Sequence, residues 1–132
     1  MKIVADTNVL LRFVLGDDPK QYKQALEAIE KSEVIVVSNQ ALCELIWVLR
    51  SRYGVLRANI AAMISQLLET KNIVVDSEAV SAGLAAMQSG ADFADGVIAY
   101  EGAWLGGETF VSFDKKAVSA LLRQGRKAKL LP

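Results

Sequence analysis

The stretch "VADTNVLLRFV", residues 4–14, decides how this chain is read. A short apolar run, Ile3 to Ala5, delivers an acid, Asp6, and then two small polar residues, Thr7 and Asn8. Apolar residues resume at Val9. Two roles compete for Asp6. It caps the helix that begins near Val9, since Asp, Thr and Asn all favour helix starts. Or it is one arm of a site at the carboxyl edge of a parallel sheet, where open α/β folds place their ligands. The segment alone leaves both open.

Outward from this stretch, strand and helix patterns alternate almost without loops. "KIVA" is a short strand, and "NVLLRFVLG" is a short helix ending at Gly16. Pro19 suits a helix first turn. "PKQYKQALEAIEKS" then keeps Tyr22, Ala25, Leu26 and Ile29 on one face. "VIVVS" is a continuous apolar run of strand length, as in a parallel sheet covered on both faces. "NQALCELIWVLRSRY", capped near Ser38 or Asn39, and "LRANIAAMISQLLET" are helices, and "NIVV" is the third strand. "DSEAVSAGLAAMQSG" and "DFADGVIAYEGAWLGG" are helices, the second ending in two glycines. "TFVSF" is the fourth strand, "DKKAVSALLRQG" the last helix, and "AKLL" a short fifth strand. Alternating β and α elements predict an α/β fold. With right-handed crossovers it becomes a three-layer α/β/α sandwich around a central parallel sheet of four to five strands. The length of 132 residues predicts a single domain over 1–132.

Composition narrows the chemistry. Apolar residues make up 52% of the chain, enough for a sizeable core and too many for disorder. Net charge is zero but unevenly spread. The first 113 residues hold nine basic and fourteen acidic residues, while the tail from Asp114 holds six basic residues and one acid. That tail is either a solvated last helix or a surface that meets a polyanion. There is no histidine. This removes Ser-His-Asp triads, Cys-His pairs and histidine-ligated zinc. The single Cys43 permits no internal disulfide and reads as core. No run is long enough to span a bilayer, and a cytoplasmic protein without membrane contact is expected.

The acids follow the strands. Asp6 follows the first strand and Asp114 the fourth, while Glu44 lies in the helix after the second strand. Asp92 and Asp95 open the helix before the fourth strand, three residues apart and therefore on one face. Glu44 is the only acid between Glu33 and Glu69, and its helix turn is apolar nearly all round. It stands on a narrow polar stripe with Gln40 and Arg50, or it is half-buried with a partner. Asp92 also reads as an N-cap, with Asp95 completing a capping box, and Asp114 as the cap of the last helix. Together the acids collect where a switch-point site would use them, beside Thr7, Asn8 and Ser112. Carboxylates at close range repel, so such a cluster needs a cation or protonation. All-oxygen ligation suits magnesium or manganese, with calcium possible.

Four segments, "VADTNVLL", "ALCELIWVL", "DFADGVIAY" and "FVSFDKKA", resemble in order the motifs of PIN-domain ribonucleases. The closest likeness is to the VapC toxins of toxin–antitoxin pairs, over Ile3 to Leu130. The resemblance implies a metal site of Asp6, Glu44, Asp95 and Asp114, with Asp92 as a fifth carboxylate. It also implies that Thr7, Asn8 and Ser112 support the acids by hydrogen bonds. "DGVIAY" departs from the commoner Asp-Ala-Leu-Ile-Ala-Ala, placing Gly96 where an alanine is usual. The last motif, Ser112-Phe113-Asp114, resembles the short Thr-x-Asp form and not the longer Thr-x-Asn-x-x-Asp-Phe form.

The implied reaction is hydrolysis of RNA phosphodiesters with Mg or Mn, leaving a 5′-phosphate and a 3′-hydroxyl. Asp6 and Asp95 are expected as direct metal ligands. Glu44 and Asp114 ligate the metal or orient its water, and Asp92 supports them or serves a second metal. Lys115 and Lys116 are the expected phosphate contacts. A free ribonuclease would harm its host, so the resemblance also implies a small antitoxin whose C-terminal segment brings a basic side chain to the acids. Apolar residues of the helices from Asn39 and Leu56, Trp47 among them, form part of that groove, unless Trp47 is ordinary core. A homodimer is expected as well. Alternatives are a housekeeping RNA-processing nuclease of the same family, or a decayed nuclease that only binds a partner. A haloacid-dehalogenase-type phosphatase needs a second Asp two residues after the first, where Asn8 stands. A receiver-like domain needs neighbouring acids before the first-strand Asp, and "KIVAD" has none.

Overall fold

The computed structural model describes all 132 residues, which divide into two compact units, Met1–Val75 and Asp76–Pro132. The first unit holds β1 (Lys2–Val4), α1 (Thr7–Leu15), α2 (Pro19–Lys31), β2 (Val34–Val36), α3 (Asn39–Ser51), α4 (Arg57–Glu69) and β3 (Ile73–Val74). Its strands pair in parallel in the order β1-β2-β3. A parallel pair needs a long crossover. The helices α1 and α2 supply the first, and α3 and α4 the second.

Local chemistry sets the helix ends. The Val9 N–H donates to Asp6 Oδ1 at 3.0 Å, which starts α1 two residues before the apolar run does. Gly16 ends α1 at φ 63, a left-handed conformation costly for side-chain-bearing residues, and its N–H donates to Arg12 O. Asp18 caps α2 ahead of Pro19, and Ser38 Oγ caps α3 by accepting from the Ala41 N–H at 3.1 Å. The core collects Leu10, Ile35, Leu42, Leu45, Leu49 and Ile60, each fully buried. Each such side chain stabilises the fold by roughly 1.5–3 kcal/mol.

The sheet of this unit is covered less evenly than its apolar strands suggested. Ile35 is buried, while Val4, Val36 and Val74, one row in register across the three strands, are 74%, 38% and 49% exposed. Successive strand residues point to opposite faces. A continuous apolar run therefore marks both faces as apolar without saying which is covered.

The second unit holds α5 (Ser77–Gln88), α6 (Phe93–Trp104), β4 (Phe110–Ser112), α7 (Lys115–Arg123) and β5 (Ala128–Leu130). β4 and β5 pair in parallel around the α7 crossover, Phe110 against Ala128 and Ser112 against Leu130. The α/β class and the parallel pairing are as expected. The five strands, however, are divided three and two between two sheets, not joined in one of four to five. Strands of two or three residues pattern alike wherever they pair, so alternation gives their number and not their grouping. The helices α5 and α6 pack at very close range. A Cβ added at Gly96 would lie 2.2 Å from the Ala82 carbonyl oxygen, and one at Gly83 would lie 2.5 Å from the Phe93 ring. Small buried residues, Ala86, Ala91, Ala117 and Ala120, with Phe110 against them, continue this tight packing under α7.

Candidate functional site

In the first unit the β1–α1 turn brings Thr7 to Glu44, 37 residues away in the chain. Thr7 Oγ1 donates to Glu44 Oε2 at 2.7 Å. Gln40, one turn before Glu44 on α3, donates through Nε2 to Glu44 Oε1 at 3.3 Å. Glu44 is exposed, so it stands on the polar stripe and not half-buried, and its partners Thr7 and Gln40 hold it at the surface. Asp6 is exposed and caps α1 through Oδ1. A cap does not exclude a site: it fixes the carboxylate at the end of β1, next to the residue that holds Glu44. Asn8 is exposed on the first turn of α1. Gln40 was not among the expected supporting residues. Its spacing of four from Glu44 on a helix was the signal that could have found it.

In the second unit three acids share one electrostatic neighbourhood. Asp92 and Asp95 form a reciprocal capping box, with the Asp92 N–H donating to Asp95 Oδ2 at 3.0 Å. Asp114 caps α7 by accepting at Oδ1 from the N–H groups of Lys116 (2.9 Å) and Ala117 (3.3 Å). Ser112 Oγ accepts from the Asp114 N–H at 3.0 Å, fixing the turn that presents Asp114. Partial burial pushes the half-buried Asp95 carboxyl above the ordinary carboxylate range. The Asp92 N–H pulls it the other way, and the negative charges of Asp92 and Asp114 add to the rise.

Lys115 and Lys116 are exposed on the first turn of α7. Arg123 is engaged differently from the rest of the basic tail: its guanidinium donates to the Ser89 carbonyl at the end of α5. Trp47 is 63% exposed and is not core, and Cys43 is half-buried. The second unit has a groove of about 580 Å³ bordered by Ile98, Phe110, Val111, Arg126 and Lys127. The first has one of about 440 Å³ bordered by Phe13, Tyr22, Met63 and Leu67. None of the five acids lines either groove. Within neither unit do three acidic side chains lie close enough to hold one metal ion.

The order of these acids along alternating strands and helices has a match. Residues 3–120 correspond to the PIN domain, a span that takes in both units and all five acids. The chain belongs to the PIN domain family. PIN domains have a nuclease-type fold, and they are typically hydrolases that act on RNA and generally use divalent metals. No curated protein matches this PIN domain. None of its helices is long and apolar enough to cross a membrane.

Proposed function

We propose that this PIN domain is a metal-dependent endoribonuclease and the toxin of a toxin–antitoxin pair. The observation that carries the reading is the match of residues 3–120 to the PIN domain, a span that includes all five acids; beside it, burial first and then the negative charges of Asp92 and Asp114 raise the half-buried Asp95 carboxyl. Such repulsion costs stability in the metal-free protein, and a divalent cation turns it into attraction. The donors fit the group: carboxylates with hydroxyl and amide support, no histidine, all hard oxygen ligands suited to magnesium or manganese. Asp6, Glu44, Asp95 and Asp114 are its carboxylates, with Asp92 as a fifth. Bound there, the ion supplies a lowered water pKa and neutralises charge on the scissile phosphate.

The chain's own residues do the positioning. Thr7 and Gln40 each hold one oxygen of Glu44, which fixes its rotamer. The Asp92 N–H orients Asp95, and two N–H groups of α7 orient Asp114. Lys115 and Lys116 sit at the positive end of a helix, where a cation is unfavourable by about 0.3–1 kcal/mol. Asp114 offsets part of that cost, and phosphate binding gives the placement a use. A small antitoxin that brings a basic side chain to these acids would silence the enzyme, and a homodimer completes the proposed assembly.

The test is cleavage of a panel of structured RNAs. Magnesium should support it, EDTA should stop it, manganese should restore it, and Asp6→Asn should abolish it with the fold intact. Full-rate cleavage in EDTA would refute metal dependence. Co-expression with the neighbouring open reading frame tests the toxin role. If that small protein neither co-purifies nor relieves growth arrest, a housekeeping nuclease is the better reading.

A further inference from the structure

One side chain of the basic tail is already engaged. Arg123, in the last turn of α7, donates to the Ser89 carbonyl, and Gln124 Nε2 donates to Ser89 Oγ at 3.4 Å. Ser89 is the C-cap of α5, where a helix presents its negative end and a guanidinium is favourable. From there only Gly90 and Ala91 separate the chain from Asp92, the cap of α6. Gly90 makes the turn at φ 98, and a Cβ there would stand 4.0 Å from Arg123 Nη2. The Ala91 N–H donates back to Ala86 O at 3.0 Å, and Ala91 is buried with Ala86, Ala117 and Ala120. Arg123 and Gln124 follow Ala120 by three and four residues, so they continue the side of α7 that packs on this turn.

We propose that Arg123 is a positioning residue: it ties the turn of Ser89, Gly90 and Ala91 to α7, and so fixes Asp92 and Asp95, which follow the turn, relative to Asp114, which caps α7. Only the link to a metal ion rests on the nuclease reading. Asp114 is held at the start of α7 by the N–H groups of Lys116 and Ala117. The nine residues of α7 form a stiff bar between that acid and the guanidinium of its last turn. The alanine contacts under the turn are apolar and without direction, whereas a guanidinium hydrogen bond is directional. The alanines therefore press the turn onto α7, and Arg123 sets where along α7 it stands. Metal ligation tolerates displacements of only about 0.2 Å in ligand distance, so loosening this tie is felt first in the affinity for the ion.

The experiment uses the full chain and two readouts. In EDTA, amide hydrogen exchange of the metal-free protein reads the turn itself. Arg123→Ala should speed exchange at Ala91 and Asp92 roughly 10-fold, the factor of one charge-assisted hydrogen bond, and leave the rest of α6 unchanged. Manganese titration followed by electron paramagnetic resonance, without RNA, reads the acids. Arg123→Ala should weaken manganese affinity about 10-fold, and Arg123→Lys, which still brings a charged donor to the carbonyl, should recover most of it. Ser89→Ala keeps the carbonyl and should match wild type in both readouts. Val118→Ala, a buried change on the same helix, is the control: it should lower Tm without a selective change at the turn or in manganese affinity. Wild-type exchange at Ala91 and Asp92 in Arg123→Ala overturns the inference. So does a loss of manganese affinity no greater than that of Val118→Ala, which makes Arg123 an ordinary tie between helices. Failure of the nuclease reading looks different. A wild type that binds no manganese, or binds it as well after Asp95→Asn, removes the metal, and the exchange readout alone then decides whether Arg123 holds the turn.

Discussion

Replacing Gly96 by alanine tests the closest helix contact in the protein, immediately beside Asp95. A Cβ at Gly96 would stand 2.2 Å from the Ala82 carbonyl oxygen, 2.7 Å from its carbon and 2.9 Å from Ala86 Cβ. Ordinary contact begins at 3.4 Å, so α5 and α6 must separate locally by about 1.2 Å. The obstacle is helix backbone, which cannot rotate aside as a side-chain end can. Separation on that scale also loosens the neighbouring contact of Gly83 with the Phe93 ring, and a gap of 0.5–1 Å forfeits a quarter to a half of each dispersion well. Overpacking costs about 1–3 kcal/mol, with a rigid neighbour at the upper end. Alanine returns about 1 kcal/mol of helix propensity. The net is a loss of roughly 1–2 kcal/mol, or a Tm lower by about 4–8 °C for a chain of this size. Gly102→Ala on the same helix is the control. A Cβ there meets nothing within 4 Å, so the variant should gain up to about 1 kcal/mol. Thermal melting followed by circular dichroism compares the two. A Gly96→Ala protein as stable as wild type, or as stable as Gly102→Ala, would refute the close crossing. It would also refute the account of why glycine stands where the family's motif usually has alanine.

Asp95→Asn should stabilise the metal-free protein at neutral pH in urea denaturation, since it removes a carboxylate whose folded pKa is raised by burial and by Asp92 and Asp114. The sign follows from linkage. The contribution of Asp95 is full below the ordinary carboxylate pKa and is lost as pH rises through the raised folded value, so the gain of the Asn variant must shrink on acidification. A gain independent of pH would mean that the charge is not the cause. Thr7→Ala removes one of the two hydrogen bonds on Glu44; it should lower metal affinity or activity roughly 10- to 100-fold while the melting curve moves little, as read by magnesium titration of cleavage. Lys115→Glu with Lys116→Glu should weaken RNA binding and flatten its salt dependence; normal cleavage across a salt titration would make these lysines a solvated helix face.

Much of this protein follows from its sequence alone. Gly16, Pro19, Ser38 and the acids at helix starts act through neighbours within a few residues, so the caps and nearly all the element ends could be read directly. The same locality made the capping box of Asp92 and Asp95 legible, and the order of the acidic motifs pointed to the family. Tertiary structure decided whatever depends on residues far apart in the chain. That Thr7 would hold Glu44 across 37 positions has no local signal, because a short hydroxyl finds its partner only after β1 and α3 are placed. Trp47 is apolar by type, yet it is exposed, since burial depends on which helix faces find a neighbour. The grouping of five short strands into sheets of three and two has the same cause: a strand's sequence records its period, and its partner is chosen by the packing around it.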